Sequence, residues 1–88
     1  MVWRIELSPN ADKQLDRIDR QSAIRILKFL RSRLSALDDP RQLGAALSGP
    51  FSGYWRYRIG DYRVICELRD TELIILVVEV GHRREIYR

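Results

Sequence analysis

Residues 54–66 read Tyr-Trp-Arg-Tyr-Arg-Ile-Gly-Asp-Tyr-Arg-Val-Ile-Cys, with two runs of aromatic and β-branched residues on either side of Gly60 and Asp61. Glycine at the first position of a two-residue loop is typical of a type II′ turn, whose twist suits the flanking strands. The stretch therefore predicts a tight β-hairpin in which Ile59 pairs with Tyr62. The pairs that follow are Arg58 with Arg63, Tyr57 with Val64 and Arg56 with Ile65.

Side chains alternate along a strand, so the hairpin has two faces of different character. One face is predicted to lie in the core and carries Trp55, Tyr57, Ile59, Tyr62, Val64 and Cys66. The other face carries Arg56, Arg58 and Arg63. Like charges placed directly opposite destabilise a sheet by about 0.2–1 kcal/mol per pair, whereas guanidinium groups bind phosphate well. The arginine face is therefore either an anion site or a solvated basic surface.

The composition is that of a globular chain that folds as one domain over residues 1–88, with 45% hydrophobic and 32% charged residues. No apolar run approaches the about 18 residues of a membrane helix, and no signal-peptide pattern is present. We therefore expect a cytoplasmic protein with no membrane partner. Cys66 is the single cysteine and His82 the single histidine, so neither a disulfide nor a metal site or other cofactor is expected.

Basic residues are concentrated in two parts of the chain, and the net charge of +4 favours a polyanionic partner. One part is the hairpin. The other, residues 20–37, has no acidic residue and contains Arg20, Arg25, Lys28, Arg31 and Arg33. On a helical wheel Arg25 and Lys28 lie opposite the apolar stripe and Arg31 flanks it. This block is either a partner surface or a solvated face that aids solubility.

The first part of the chain predicts a strand and two helices. Alternation over residues 2–7 indicates a short strand. Ser8 followed by Pro9 is a helix start, because serine caps free N–H groups and proline at the first helical position gives up no hydrogen bond. Asp19 is a second N-cap, so the first helix is short. The second helix is predicted over residues 21–37, with an apolar stripe of Ala23, Ile26, Leu27, Leu30, Leu34 and Leu37.

The rest of the chain predicts strands. Pro40 ends the second helix, and residues 43–53 form a loop with a short strand near Leu47. After the hairpin, the nearly unbroken apolar run of residues 73–80 predicts a central strand that is covered on both faces. The order strand, helix, helix and three strands predicts an α+β fold with an antiparallel sheet. Because the helices cover only one face of that sheet, we expect the arginine face to be an open, shallow basic concavity.

Two motifs of the chain resemble the RelE family of bacterial toxin–antitoxin systems, within the RelE/ParE superfamily. The first is Trp55-Arg-x-Arg with Gly60-Asp-Tyr-Arg, and the second is Val-Gly-His-Arg-Arg-Glu-Ile-Tyr over residues 80–87. The resemblance covers nearly the whole chain and implies the RelE-like, microbial-ribonuclease-type fold. Known RelE toxins cut mRNA in the ribosomal A site by attack of the 2′-hydroxyl. The resemblance thus implies a metal-independent endoribonuclease that inhibits translation and uses no cofactor.

Residue roles also follow from the resemblance. Arg58 and Arg63 are expected to stabilise the charge that develops on the phosphate, Arg83 to act at the leaving oxygen, and Tyr87 to take the proton of the 2′-hydroxyl. The expected RNA-binding residues are Arg56, Arg25, Lys28 and Arg31. The best-known family member has lysines where this chain has Arg56 and Arg58, and arginine supplies the charge but releases a proton poorly.

The implied partners are the ribosome with its mRNA and a RelB-like antitoxin, whose helix wraps the toxin in a hetero-oligomer. Two other interpretations remain open. One is a ParE-like toxin, which poisons DNA gyrase without cutting RNA. The other is a catalytically inactive module whose basic face docks an acidic protein segment. The set of candidate catalytic residues favours the nuclease, because the ParE branch generally lacks it.

Overall fold

In the computed structural model, which describes residues 2–84, five strands form one mixed sheet and two helices pack on one of its faces. The strands are β1 (Arg4–Leu7), β2 (Ala45–Ala46), β3 (Trp55–Ile59), β4 (Tyr62–Arg69) and β5 (Ile74–His82). The helices are α1 (Pro9–Arg17) and α2 (Arg20–Lys28), and a π-helical turn, Phe29–Leu34, continues α2. Short 3₁₀ turns, Pro40–Leu43 and Gly49–Phe51, flank β2. The predicted α+β class is confirmed.

The predicted hairpin is confirmed in register and in turn geometry. Strands β3 and β4 pair with Ile59 opposite Tyr62 and Arg58 opposite Arg63. Gly60 has φ +60°, which a residue with a Cβ adopts only at a cost. The strand order across the sheet is β1-β5-β4-β3-β2, so the hairpin occupies one half of the sheet.

Strands β1 and β5 run parallel, a pairing that the predicted antiparallel sheet did not contain. Backbone hydrogen bonds bracket the pair: the Arg4 N–H donates to the Leu73 carbonyl at 2.7 Å, and the Ser8 N–H donates to the Val77 carbonyl at 2.9 Å. These strands lie at opposite ends of the sequence, where no local signal sets their relative direction. The pairing gives β5 a neighbour on both sides, as expected of an interior strand.

Both predicted helix starts are confirmed. The Ser8 hydroxyl accepts a hydrogen bond from the Ala11 N–H at 3.1 Å, and an Asp19 carboxylate oxygen accepts one from the Ser22 N–H at 2.9 Å. The Ser22 bond and a second one from Tyr62 hold the pKa of the Asp19 carboxyl below its usual value. No helix within residues 2–84 is long and apolar enough to span a membrane.

The second helix differs from its prediction as one α-helix over residues 21–37. Its α-helical part ends at Lys28, and the π turn that follows ends at Leu34. The Ser35 N–H donates to the Leu30 carbonyl at 3.0 Å, five residues back instead of four. The wider turn keeps the predicted stripe in the core, since Leu30 and Leu34 are fully buried.

Two buried aromatic residues donate hydrogen bonds to the backbone of the loop that follows the helical segment. The Tyr57 ring is fully buried, and its hydroxyl donates to the Pro40 carbonyl at 2.9 Å. The indole Nε1 of Trp3 donates to the Asp38 carbonyl at 3.3 Å. Because both acceptors lie just after the π turn, these bonds fix the path by which the chain leaves the helical layer.

Candidate functional site

Arginines from three separate segments meet at the turn end of the hairpin. Arg58 of β3 is opposite Arg63 of β4, and Arg63 is in turn opposite Gly81 of β5. The Arg83 N–H donates to the Asp61 carbonyl in the hairpin turn at 2.8 Å, which brings the segment after β5 against that turn. Three of the four residues predicted to be catalytic therefore lie close together. The fourth, Tyr87, lies outside the described residues.

These arginines differ in exposure. Arg58 and Arg83 are exposed, whereas Arg63 is half-buried and its Nη1 donates to the Tyr62 carbonyl at 3.2 Å. Arg56 is also half-buried, and its Nε is not reached by solvent. We call these four arginines the arginine row. Arg58 and Arg83 present their charge to an incoming anion, and Arg63 and Arg56 are its less exposed members.

The face that carries these arginines is less open than the sequence indicated. Ile65 and Ile74 lie on it and are only 3% and 4% exposed. Ile65 is also opposite Glu79 of β5, so a carboxylate shares the face. The expectation that the whole face is an open, purely basic concavity is therefore wrong. Near the turn, Arg63 is opposite Gly81.

A second group of cations lies at the outer edge of the hairpin. Arg25 and Lys28 of α2 line a cleft of about 400 Å³ together with Arg58. The remaining lining residues are Phe29, Ser32, Arg33, Ile59 and Gly60. Two of the RNA-binding residues predicted on the helix therefore line the same cleft as the predicted catalytic residue Arg58.

Arg31 is not part of this cleft, although the sequence placed it among the RNA contacts. It lies instead in a separate groove with Trp3 and Arg4. Arg33, to which the sequence reasoning gave no role, takes the place beside Lys28. Arg33 lies four residues after Phe29, which lines the cleft, whereas Arg31 lies four residues after Leu27, which packs on the core.

Aromatic and thiol groups near the hairpin are structural. Burial raises the pKa of the Tyr57 phenol well above its usual value, so the hydroxyl stays protonated as a donor to the Pro40 carbonyl. Burial likewise raises the pKa of the Cys66 thiol, which makes this cysteine unreactive. Trp55 is half-buried, and the Arg41 guanidinium lies 5.6 Å from its ring centroid. The prediction that the Tyr57 face lies in the core is confirmed.

His82 lies at the end of β5, on the side away from the cleft. Its ring meets that of Tyr62 edge-on, with 5.7 Å between the centroids. Its Nδ1 accepts a hydrogen bond from the Arg84 N–H at 3.3 Å. Within residues 2–84, no three His, Cys, Asp or Glu side chains form a cluster that could hold a metal ion.

Comparisons with known proteins agree on the kind of protein this is. A family model described as "ParE toxin of type II toxin-antitoxin system, parDE" matches residues 5–87. Toxin RelG of Mycobacterium tuberculosis is 24% identical over 88 residues, which is 100% of this chain and 99% of RelG. Toxin RelE of the same organism is 26% identical over 86 residues, which is 98% of this chain and 87% of that toxin.

The fold is also that of a solved toxin. A chain of the toxin–antitoxin complex RelBE2 from Mycobacterium tuberculosis superposes with a TM-score of 0.86 at 20% identity, covering 97% of this chain and 95% of its own. At 20% identity this structural match shows the fold alone, and the assignment to a family rests on the family model. The chain belongs to the ParE toxin family, within the RelE/ParE superfamily, and is a RelE-like toxin of a type II toxin–antitoxin system.

Proposed function

We propose that the 88 residues act as one toxin domain that cuts mRNA in the ribosomal A site, without a metal ion or other cofactor. The observation that carries this proposal is the meeting of Arg58, Arg63 and Arg83 at the turn end of the hairpin. Strand β3, strand β4 and the segment after β5 contribute one cation each, although like charges in this arrangement oppose folding. A phosphate bound between them would neutralise that repulsion.

The chemistry is an internal transfer at phosphorus. The 2′-oxygen attacks the adjacent phosphorus, the bond to the 5′-oxygen breaks, and the products carry a 2′,3′-cyclic phosphate and a 5′-hydroxyl. Arg58 and Arg63 stabilise the extra negative charge of the pentavalent state, and Arg56 holds a neighbouring phosphate. Tyr87, as the phenolate, accepts the proton of the 2′-hydroxyl. Arg83 neutralises the charge on the leaving 5′-oxygen, which takes up a proton from water to become the 5′-hydroxyl.

This arrangement explains a requirement for the ribosome. The part of the chain that the structure describes offers guanidinium groups, which stabilise charge but carry protons poorly. Most of the rate must then come from holding the 2′-oxygen in line with the phosphorus, and a flexible free RNA does not supply that geometry. The ribosomal A site would supply it, and we propose that the toxin acts in the cytoplasm.

The second partner is an antitoxin. RelBE2 was solved as a toxin–antitoxin complex, and we propose that this chain likewise binds a RelB-like antitoxin through a helical segment, in a hetero-oligomer. Apolar side chains that remain exposed support such a contact, since Ile24 on α2 is 53% exposed and Phe51 is 42% exposed. Because the burial of apolar side chains is not screened by ions, the complex should persist at moderate salt concentration.

The family model's own description favours a second candidate function, because it names ParE. In that case the toxin would act on DNA gyrase. Toeprinting of purified protein on ribosomes stalled with defined codons, beside a gyrase supercoiling assay, separates the two. Cleavage within the A-site codon with gyrase unaffected supports the nuclease. Gyrase inhibition with intact message would replace it with the ParE-like function.

Tyr87 provides the sharpest test of the chemistry. The change of Tyr87 to Phe keeps the ring and removes the hydroxyl, so single-turnover cleavage on ribosomes should fall by about 10²-fold or more. Tyr54→Phe is the matched control and should cut normally. Normal cleavage by Tyr87→Phe would remove its role as base, and a linear 5′-phosphate product would reject the mechanism.

A further inference from the structure

The cleft between α2 and the hairpin edge is a concentrated basic site outside the arginine row. Four cations line it: Arg25, Lys28 and Arg33 from the helical segment, and Arg58 from β3. No carboxylate lines it, and none of the four forms an ion pair within residues 2–84. Four cations around about 400 Å³ repel one another, and such a cluster favours the binding of an anion.

The π turn forms part of the wall of the cleft. Three of its residues, Phe29, Ser32 and Arg33, line the cleft. Arg33 follows Phe29 by four residues, so these two side chains share one side of the helical segment, whereas Arg31 lies in the groove beside Trp3. π turns often occur at functional sites, and this one contributes one of the four cations.

The floor of the cleft is apolar and small. Phe29 is half-buried, with its ring centroid 6.3 Å from that of Tyr57, and Ile59 is 7% exposed. A base or ribose can rest on this floor while its phosphates contact the surrounding guanidinium groups. An antitoxin helix would instead need a longer apolar stripe along the surface. The shape and charge of the cleft therefore favour nucleic acid over an acidic protein segment.

We propose that this cleft binds the backbone of an RNA segment next to the one that is cut. The identity of the polyanion as RNA rests on the proposed nuclease function. Arg58 belongs to both sites, because it lines the cleft and is opposite Arg63 in the row. One strand can therefore pass from the cleft around the hairpin edge to the row, which anchors the RNA beside the scissile phosphate.

Binding of a 12-nucleotide single-stranded RNA, methylated at every 2′-oxygen, tests the proposal. This probe cannot be cut by 2′-hydroxyl attack, so the result does not depend on the nuclease. Anisotropy titrations at 50–200 mM salt give the slope of log affinity against log salt. In Lys28→Ala/Arg33→Ala the slope should flatten by about 1.4, since each lost phosphate contact removes about 0.7 for single strands.

The matched control is Lys13→Ala/Arg20→Ala, which removes the same two charge types from exposed helix positions outside the cleft and should leave the slope unchanged. Equal flattening in both double variants would overturn the proposal in favour of general charge attraction. An unchanged slope in the cleft variant with weakened antitoxin binding would overturn it in favour of a protein contact. Thermal melts check that both variants fold.

Single variants test the lining of the cleft directly. Arg33→Ala should flatten the slope by about 0.7 and Arg31→Ala should not. The reverse result would refute the cleft as described. If ribosome-bound message is not cut by the wild type while these slope differences persist, the nuclease proposal fails and the cleft stands.

Discussion

Arg58 and Arg63 lie directly opposite each other across the hairpin, so replacement of Arg58 by Gln should move stability and activity in opposite directions. Glutamine keeps most of the side-chain length and removes the charge. Relief of one like-charge pair is worth about 0.2–1 kcal/mol in a sheet. If the arginine row binds phosphate, the repulsion between Arg58 and Arg63 is a cost in folding stability that the binding function requires.

The expected shift in melting temperature follows from the size of the chain. An unfolding entropy of about 2.1 cal/mol/K per residue gives about 0.18 kcal/mol/K for 88 residues. The relief of repulsion should then raise Tm by about 1–5 °C. The increase should shrink at 1 M salt, where the screening length is about 3 Å. Loss of one charge-stabilising donor should lower single-turnover cleavage on ribosomes by about 10²-fold.

Arg69→Gln is the control on the neighbouring strand. Its guanidinium donates to Glu67 at 2.8 Å, so removal of this charge breaks an attraction instead of a repulsion. Calorimetry should show no gain in Tm, and cleavage should stay normal. A variant of Arg58 that melts lower than wild type and still cuts at the wild-type rate would refute the view that the arginine row is a phosphate site.

Three further changes test the fold that holds the site. Tyr57→Phe removes the hydroxyl that donates to the carbonyl of the buried Pro40 and should cost about 1–3 kcal/mol in chemical denaturation. A cost near zero would contradict the role of that bond. Gly60→Ala forces a Cβ onto φ +60° and should cost about 1–2 kcal/mol, while Gly60→Asn should cost less. Asp70→Asn tests pH dependence, because Arg41 donates to this carboxylate at 2.7 Å and holds the pKa of the carboxyl below its usual value. Since a lowered folded-state pKa stabilises only above the unfolded value, the Tm difference from wild type should be constant above about pH 5 and shrink as pH falls below about 4. A difference that grows on acidification would contradict that assignment.

The local part of this structure was readable from the sequence. Gly60 with Asp61 determines a two-residue turn, and the turn sets which residues of the hairpin face each other. Ser8 with Pro9 and Asp19 determine where the helices begin, through contacts within three residues. These features depend on neighbours in the chain, so the pairing of Arg58 with Arg63 followed from the sequence alone.

Only the tertiary structure decided what surrounds the hairpin. The register of β4 on β5, with its irregularity between Ile65 and Cys66, determines that Glu79 shares the arginine face, and no local pattern encodes that pairing. The packing of the helical segment on the sheet likewise decides that Arg33 lines the basic cleft and that Arg31 lies in a separate groove. Turns and caps are set by short-range sterics and hydrogen bonds. Strand direction, sheet neighbours and the register of a packed helix are set by burial of the whole core, which becomes defined only when distant segments meet.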